Sequence, residues 1–302
     1  MNSTRAVERI IESLPATDGA GVKLRRSLGQ HARDWARVDP FLMLDEFYSD
    51  NPEDYIAGFP PHPHRGFETV TYMLDGHMRH QDHLGNTGII GPGGVQWMTA
   101  GSGVIHSEMP QQAKGRMRGF QLWINLPAAE KRKPPDYRDI PSDDIPELVL
   151  SAARIRLIAG CLNVDGRAIA GPINPDGRRS TDPMYLDVRI EASGDVELPV
   201  SERCNAFVYL YDGEAAIGQR PLVRRAAAVL GPGGILRINA GPAGAGLLLI
   251  AGRPIGEPVA QYGPFVMNTR AEVEQAIADY RAGRLVVGQG MAPTPGPAEA
   301  RG

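Results

Sequence analysis

Two sets of landmarks recur in this 302-residue chain at nearly the same spacing, and that repeat constrains the fold more than any other feature. Tyr72-Met73-Leu74-Asp75-Gly76 returns 137 residues later as Tyr209-Leu210-Tyr211-Asp212-Gly213. Gly91-Pro92-Gly93-Gly94, followed by Ala100-Gly101, returns 140 residues later as Gly231-Pro232-Gly233-Gly234, followed by Ala240-Gly241. Order and spacing agree, so the chain reads as two copies of one β-domain. The 36 Gly and 26 Pro point the same way, toward many turns and short strands rather than long helices.

Taken in order, residues 1–20 read as a flexible N-terminal arm or a short helix ending near Pro15. Strand patterns follow at 21–28, 64–76 and 120–126, with an apolar run at 39–47 and an aromatic run at 95–99. The polar, proline-rich stretch 127–148 is the best linker in the sequence. Beyond it the strand pattern resumes at 153–159, 184–191, 206–211, 222–230, 234–238 and 246–251. Thr269-Arg270-Ala271-Glu272 has the form of a capping box, and Gly283 closes the one helix expected, over 270–282. The expected division is an arm (1–20), a first β-domain (21–135), a linker (136–150), a second β-domain with the helix (151–288) and a disordered tail (289–302).

Chemistry concentrates in the first copy. Six of the seven His (62, 64, 77, 80, 83 and 106) fall within 45 residues, and only His31 lies elsewhere. His62/His64 and His106/Glu108 are each two residues apart, and residues i and i+2 of a strand share a face. Each pair therefore reaches one point from its own strand, and three imidazoles with a carboxylate make a site for Fe(II), Mn, Ni, Cu, Co or Zn. Pro63 between the first two histidines makes that strand an edge, a start or a bulge. At the repeat offsets these positions become Pro199, Ser201, Gly246 and Leu248, so the second copy keeps the turns and loses the ligands. Glu68 has the parity of His62 and His64. His77, His80 and His83 read as a solvated loop, with His80 a candidate for the pocket mouth. Gln121, Trp97 and Trp123 read as barrel core, and Glu130–Lys133 and Asp143-Asp144 as solvated linker.

The bulk properties exclude several classes. A net charge of −3 without a Lys/Arg block argues against a nucleic-acid surface. No run approaches the ~18 apolar residues of a membrane span, and the first residues have no apolar core of signal-peptide length. Cys161 and Cys204 have no metal-type spacing and read as free thiols in a reducing compartment. A cytoplasmic monomer is expected.

The pattern His-x-His-x3-Glu-x7-Gly, then Gly-x2-His, resembles the cupin superfamily. Longer strings resemble its pirin branch: Asp39-Pro40-Phe41-Leu42-Met43-Leu44-Asp45-Glu46-Phe47, Pro61 to Val70, Gln96 to Gly101, Ile105 to Pro110, and Tyr262 to Thr269. The resemblance covers roughly residues 21–286. It implies an all-β bicupin, two tandem antiparallel β-barrels with a short C-terminal helix, with metal only in the first barrel. It implies one divalent ion, iron in the first instance, on His62, His64, His106 and Glu108, with Glu68 near the site and touching a ligand rather than the metal. It implies either a quercetin 2,3-dioxygenase-type enzyme, in which Glu108 is also the catalytic base toward a small aromatic substrate, or a redox-sensing regulator that binds a protein partner such as a transcription factor or metabolic enzyme. A third reading is a metal held for stability alone.

Overall fold

The computed structural model describes residues 3–30 and 38–286, so His31 and the expected tail lie outside the described residues. In chain order the first half comprises β1 (Val7–Glu12), β2 (Leu14–Asp18), β3 (Val22–Leu28), β4 (Phe41–Ser49), β5 (Phe59–His64), β6 (Phe67–Asp75), β7 (Met78–Asp82), β8 (Thr87–Ile90), β9 (Val95–Thr99), β10 (Val104–Pro110), β11 (Met117–Asn125) and β12 (Asp136–Ile140). The second half comprises β13 (Glu147–Val149), β14 (Ala153–Ala159), β15 (Cys161–Val164), β16 (Arg167–Ala170), β17 (Met184–Ile190), β18 (Asp195–Pro199), β19 (Asn205–Ile217), β20 (Arg220–Pro221), β21 (Ala226–Leu230), β22 (Ile235–Gly252), β23 (Ala260–Tyr262) and β24 (Phe265–Met267), and then helix α1 (Arg270–Arg281).

Two antiparallel sheets build the first barrel, in the orders β12-β9-β6-β11-β4-β3-β2 and β5-β10-β7-β8. The second barrel repeats the larger order as β1-β21-β19-β22-β17-β14-β13, with β18 on β22 and β20 on β19. Its long strands β19 and β22 each do the work of two first-barrel strands. The start of β22 pairs with β18 as β10 pairs with β5, and its end pairs with β17 as β11 pairs with β4.

The two large sheets pack face to face. Alternate residues along each strand face opposite sides, and one side of each sheet meets the other in a shared apolar layer. Phe41, Val70, Tyr72, Trp97, Phe120, Leu122 and Ile124 supply one side, and Tyr185, Phe207, Tyr209, Val229, Leu248 and Ile250 the other. The other side of the second sheet fills its own barrel with Leu, Val and Ile, including Leu157, Val188, Val196, Leu198, Leu236, Ile238 and Leu249.

The expected domain boundaries are crossed at both ends. The expected flexible arm instead forms β1, the edge strand of the second barrel, paired with β21. Arg5 fixes its start, donating to the carbonyls of Gly231, Ser201 and Cys204. The expected linker supplies β12, which pairs with β9 and closes the first barrel. Each barrel thus takes both edge strands of its large sheet from outside its expected span, β2 and β12 for the first and β1 and β13 for the second. Lys131, expected in solvent, is buried, and its Nζ donates to Gly66 O, Asn125 Oδ1 and Val266 O.

The C-terminal segment returns to the first barrel. Thr269 and Glu272 make the reciprocal capping box, so the helix starts where its sequence says. Val273 and Ala276 pack with Ile105, Phe265 and Met267. Arg65 next to His64 donates to Asp279 at 2.7 Å and to the Leu285 carbonyl.

Candidate metal centre

β5 is the edge strand of its sheet, which accommodates Pro60, Pro61 and Pro63 because one flank needs no donors. β10 lies beside it, with His106 directly opposite His62 and Val104 opposite His64. The three imidazoles converge, and the nitrogens they offer all lie within 4.8 Å of one another. Nε2 of His62 and Nε2 of His64 are 3.0 Å apart. His62 Nδ1 is 2.8 Å from the Pro60 carbonyl, an acceptor only, so Nδ1 carries the proton and Nε2 keeps a lone pair. His106 Nε2 is buried with no hydrogen-bond partner. Buried acceptors that converge without a donor are costly, and a divalent cation satisfies all three. The donor set therefore fits a metal.

Glu108 stands beyond His106 on β10 and is not among the three converging groups. Its Oε1 accepts from Thr71 Oγ1 at 2.8 Å and its Oε2 from Gln121 Nε2 at 2.7 Å. Trp123 Nε1 in turn donates to Gln121 Oε1. His64 packs against both Phe67 and Trp123, with ring centroids at 5.1 and 5.3 Å, and those two rings pack on each other at 4.3 Å.

Glu68 is not near the histidines. Gly66 sits at φ +92, where a Cβ would lie 2.0 Å from the Val266 carbonyl, and this turn reverses the parity between β5 and β6. Phe67 and Thr71 therefore face the barrel interior, while Glu68, Val70 and Tyr72 face the second barrel. Buried Glu68 accepts from Thr99 Oγ1 at 2.6 Å and from Arg179 of the second barrel at 2.8 Å. It joins the barrels rather than supporting a ligand. Arg179→Ala is expected to cost on the order of 1.5–3 kcal/mol, the range for a hydrogen bond to a charged group, read by denaturant unfolding.

Three further expectations change. His80 and His83 are buried rather than solvated, whereas His77 is exposed. Gln121 and Trp123 border the site, while Trp97 is core, with Arg179 over its ring. The 140-residue offset also mispairs the last strands. The ladders put the start of β22 in the place of β10, so Leu236 and Ile238, not Gly246 and Leu248, fill the second barrel where the first holds His106 and Glu108. Three cavities of about 580, 380 and 410 Å³ have no histidine in their walls, so donor geometry rather than cavity size marks the centre. Cys161 is exposed, Cys204 is buried, and both are free. Among the described residues no helix is long and apolar enough to cross a membrane.

Burial, reinforced by the neighbouring imidazoles, pushes His64 and His106 well below the ordinary 6.5, so both are neutral and able to ligate at pH 7. Unfolded, the same side chains take up protons near 6.5. The unfolded chain therefore binds more protons below that pH, and stability falls as pH falls. Metal-free protein is expected to lose melting temperature steadily from pH 7 to 5, and His106→Ala to lose less, as followed by circular dichroism.

A family model described as Pirin matches residues 21–124, and one described as Pirin C-terminal cupin domain matches residues 185–286. A Pseudomonas aeruginosa protein named "Putative quercetin 2,3-dioxygenase" is 49% identical over 291 residues, 95% of this chain and 100% of its own. A pirin-like protein of Caulobacter vibrioides is 47% identical over 93% of this chain and 99% of its own. The crystal structure of a quercetin 2,3-dioxygenase from Acinetobacter baumannii aligns with a TM-score of 0.84 and 30% identity, over 94% of this chain and 99% of that one.

Proposed function

The chain belongs to the pirin family of cupin proteins, and from that premise we propose that it is a metal-dependent dioxygenase of the quercetin 2,3-dioxygenase type. Its substrates are small aromatic enols or catechols of the flavonol kind. His62, His64 and His106 hold one divalent ion, Fe(II) in the first instance, with Glu108 as the fourth ligand. The observation that carries this reading is the contrast between barrels, in which converging imidazoles occupy one interior and aliphatic side chains fill the other.

The bound ion supplies a Lewis acid that lowers the pKa of a chelating hydroxyl and a redox centre for reaction with O₂. Glu108 is the base that takes the 3-hydroxyl proton of the flavonol. Thr71 and Gln121 each donate to one of its oxygens, which keeps the carboxylate aimed. Phe67 and Trp123 form an aromatic wall beside His64 for a planar ring.

Ring cleavage consumes one O₂ and releases one CO per flavonol. The test is O₂ consumption and CO release by anaerobically purified, Fe(II)-loaded protein on quercetin, with Mn, Ni, Co, Cu and Zn in parallel. Saturable turnover with equal O₂ and CO is the expected result. Full metal occupancy with no O₂ uptake above free metal contradicts the enzyme and leaves a metal-bearing regulator, to be sought by partner capture in both oxidation states.

A further inference from the structure

His80 sits on β7, on the far side of β10 from His62 and His64. Its Nδ1 lies 3.3 Å from Nδ1 of His106. Its Nε2 lies 3.5 Å from Asp82 Oδ2. One ring face stacks on Tyr137, with centroids 4.1 Å apart and planes 19° apart. The two groups that flank it are themselves fixed. Asp82 accepts from the amides of Leu84 and Asn86 and from Asn86 Nδ2. Tyr137 accepts from Gln96 Nε2 and donates to Asp139. His80 is 2% exposed, so nothing but these neighbours decides its orientation.

The proton positions follow in one direction. His106 offers Nε2 to the centre, so its single proton is on Nδ1 and donates to His80 Nδ1. His80 then carries its own proton on Nε2, facing the Asp82 carboxylate. The reverse arrangement puts a proton on His106 Nε2 and removes the lone pair that the other two imidazoles converge with. A ligating histidine normally has its second nitrogen held by a carboxylate or carbonyl, and here an imidazole stands between the ligand and the carboxylate.

We infer that His80, backed by Asp82 and clamped by Tyr137, is a positioning residue that holds His106 in its ligating tautomer and ring plane. The inference rests on the metal-centre reading above and adds a role to residues outside the ligand set.

Co(II) is the probe, with affinity measured by chelator competition and ligand geometry by the visible absorption of the bound ion. His80→Ala is expected to bind Co(II) about 10- to 100-fold more weakly, with shifted visible bands, in addition to a lower melting temperature of the metal-free chain from the space left beside Tyr137. His80→Asn places its amide oxygen where Nδ1 stood, able to accept from His106, and is expected to recover most of the affinity and the original bands. Unchanged affinity and spectrum in His80→Ala overturn the role, as does a loss that asparagine fails to recover. Should His80→Ala fail to fold, Asp82→Asn decides, because it keeps every ring in place: a weaker, shifted Co(II) site supports the role and an unaltered one overturns it. An unaltered chain that takes up no Co(II) contradicts the metal centre itself, and this role with it, which separates the two failures.

Discussion

Fe(II)-loaded Glu108→Gln is expected to turn over quercetin about 10²- to 10⁴-fold more slowly than the unaltered chain, the range for losing a positioned general base. The substitution nearly preserves volume and leaves Thr71 and Gln121 with a polar partner, so the barrel interior keeps its packing. What disappears is the negative charge that both donors now stabilise and the ability to take a proton from the substrate. Because Glu108 is ligand as well as base in this reading, metal affinity falls too, so rates are to be compared at measured metal occupancy. A Glu108→Gln chain with unaltered kcat at full occupancy removes Glu108 from the chemistry.

His64→Ala is expected to weaken divalent-metal binding more than about 100-fold, beyond the loss from removing a residue that only supports a ligand. His64 is buried, and burial keeps its imidazole neutral at pH 7, so no proton has to leave before it ligates. Its removal also leaves space beside the packed pair Phe67 and Trp123, which itself lowers stability. His62→Ala, at the half-buried rim, separates the two effects, because it removes a ligand with little loss of packing. Chelator competition reads the affinity, and thermal melting of the metal-free variants reads the packing. A His62→Ala chain with unchanged affinity contradicts the three-imidazole set.

The repeat, the strand-rich architecture and the clustering of histidine were legible because each is local. Tyr72-Met73-Leu74-Asp75-Gly76 and its copy announce a strand and a turn, and the capping box at Thr269 announces a helix. Parity was legible only within one strand. The turn at Gly66 shifts it by one, which moved Glu68 to the interface with the second barrel and Thr71 into the site. Local pattern also says nothing about which edge a distant strand will join. β1 (with Glu8, Arg9 and Glu12) and β12 (with Asp136, Arg138 and Asp139) are rich in charge, as edge strands are, yet their partners lie in β21 and β9. His80 was misread for the same reason: the Asp75-Gly76 turn and polar neighbours mark a solvated hairpin, and only β12 arriving from beyond residue 135 buries it. The second landmark failed more subtly. Both Gly-Pro-Gly-Gly runs are tight turns, but one precedes β9 whereas the other follows β21, and those two strands occupy the same place in their sheets.

The most direct measurement is anomalous X-ray diffraction from crystals of the metal-loaded protein, recorded at the absorption edge of the bound ion. The account predicts one peak per chain, within bonding distance of nitrogens of His62, His64 and His106 and of a Glu108 oxygen, and none in the second barrel. A peak elsewhere, or a fully occupied ion that leaves any of the three imidazoles uncoordinated, contradicts it.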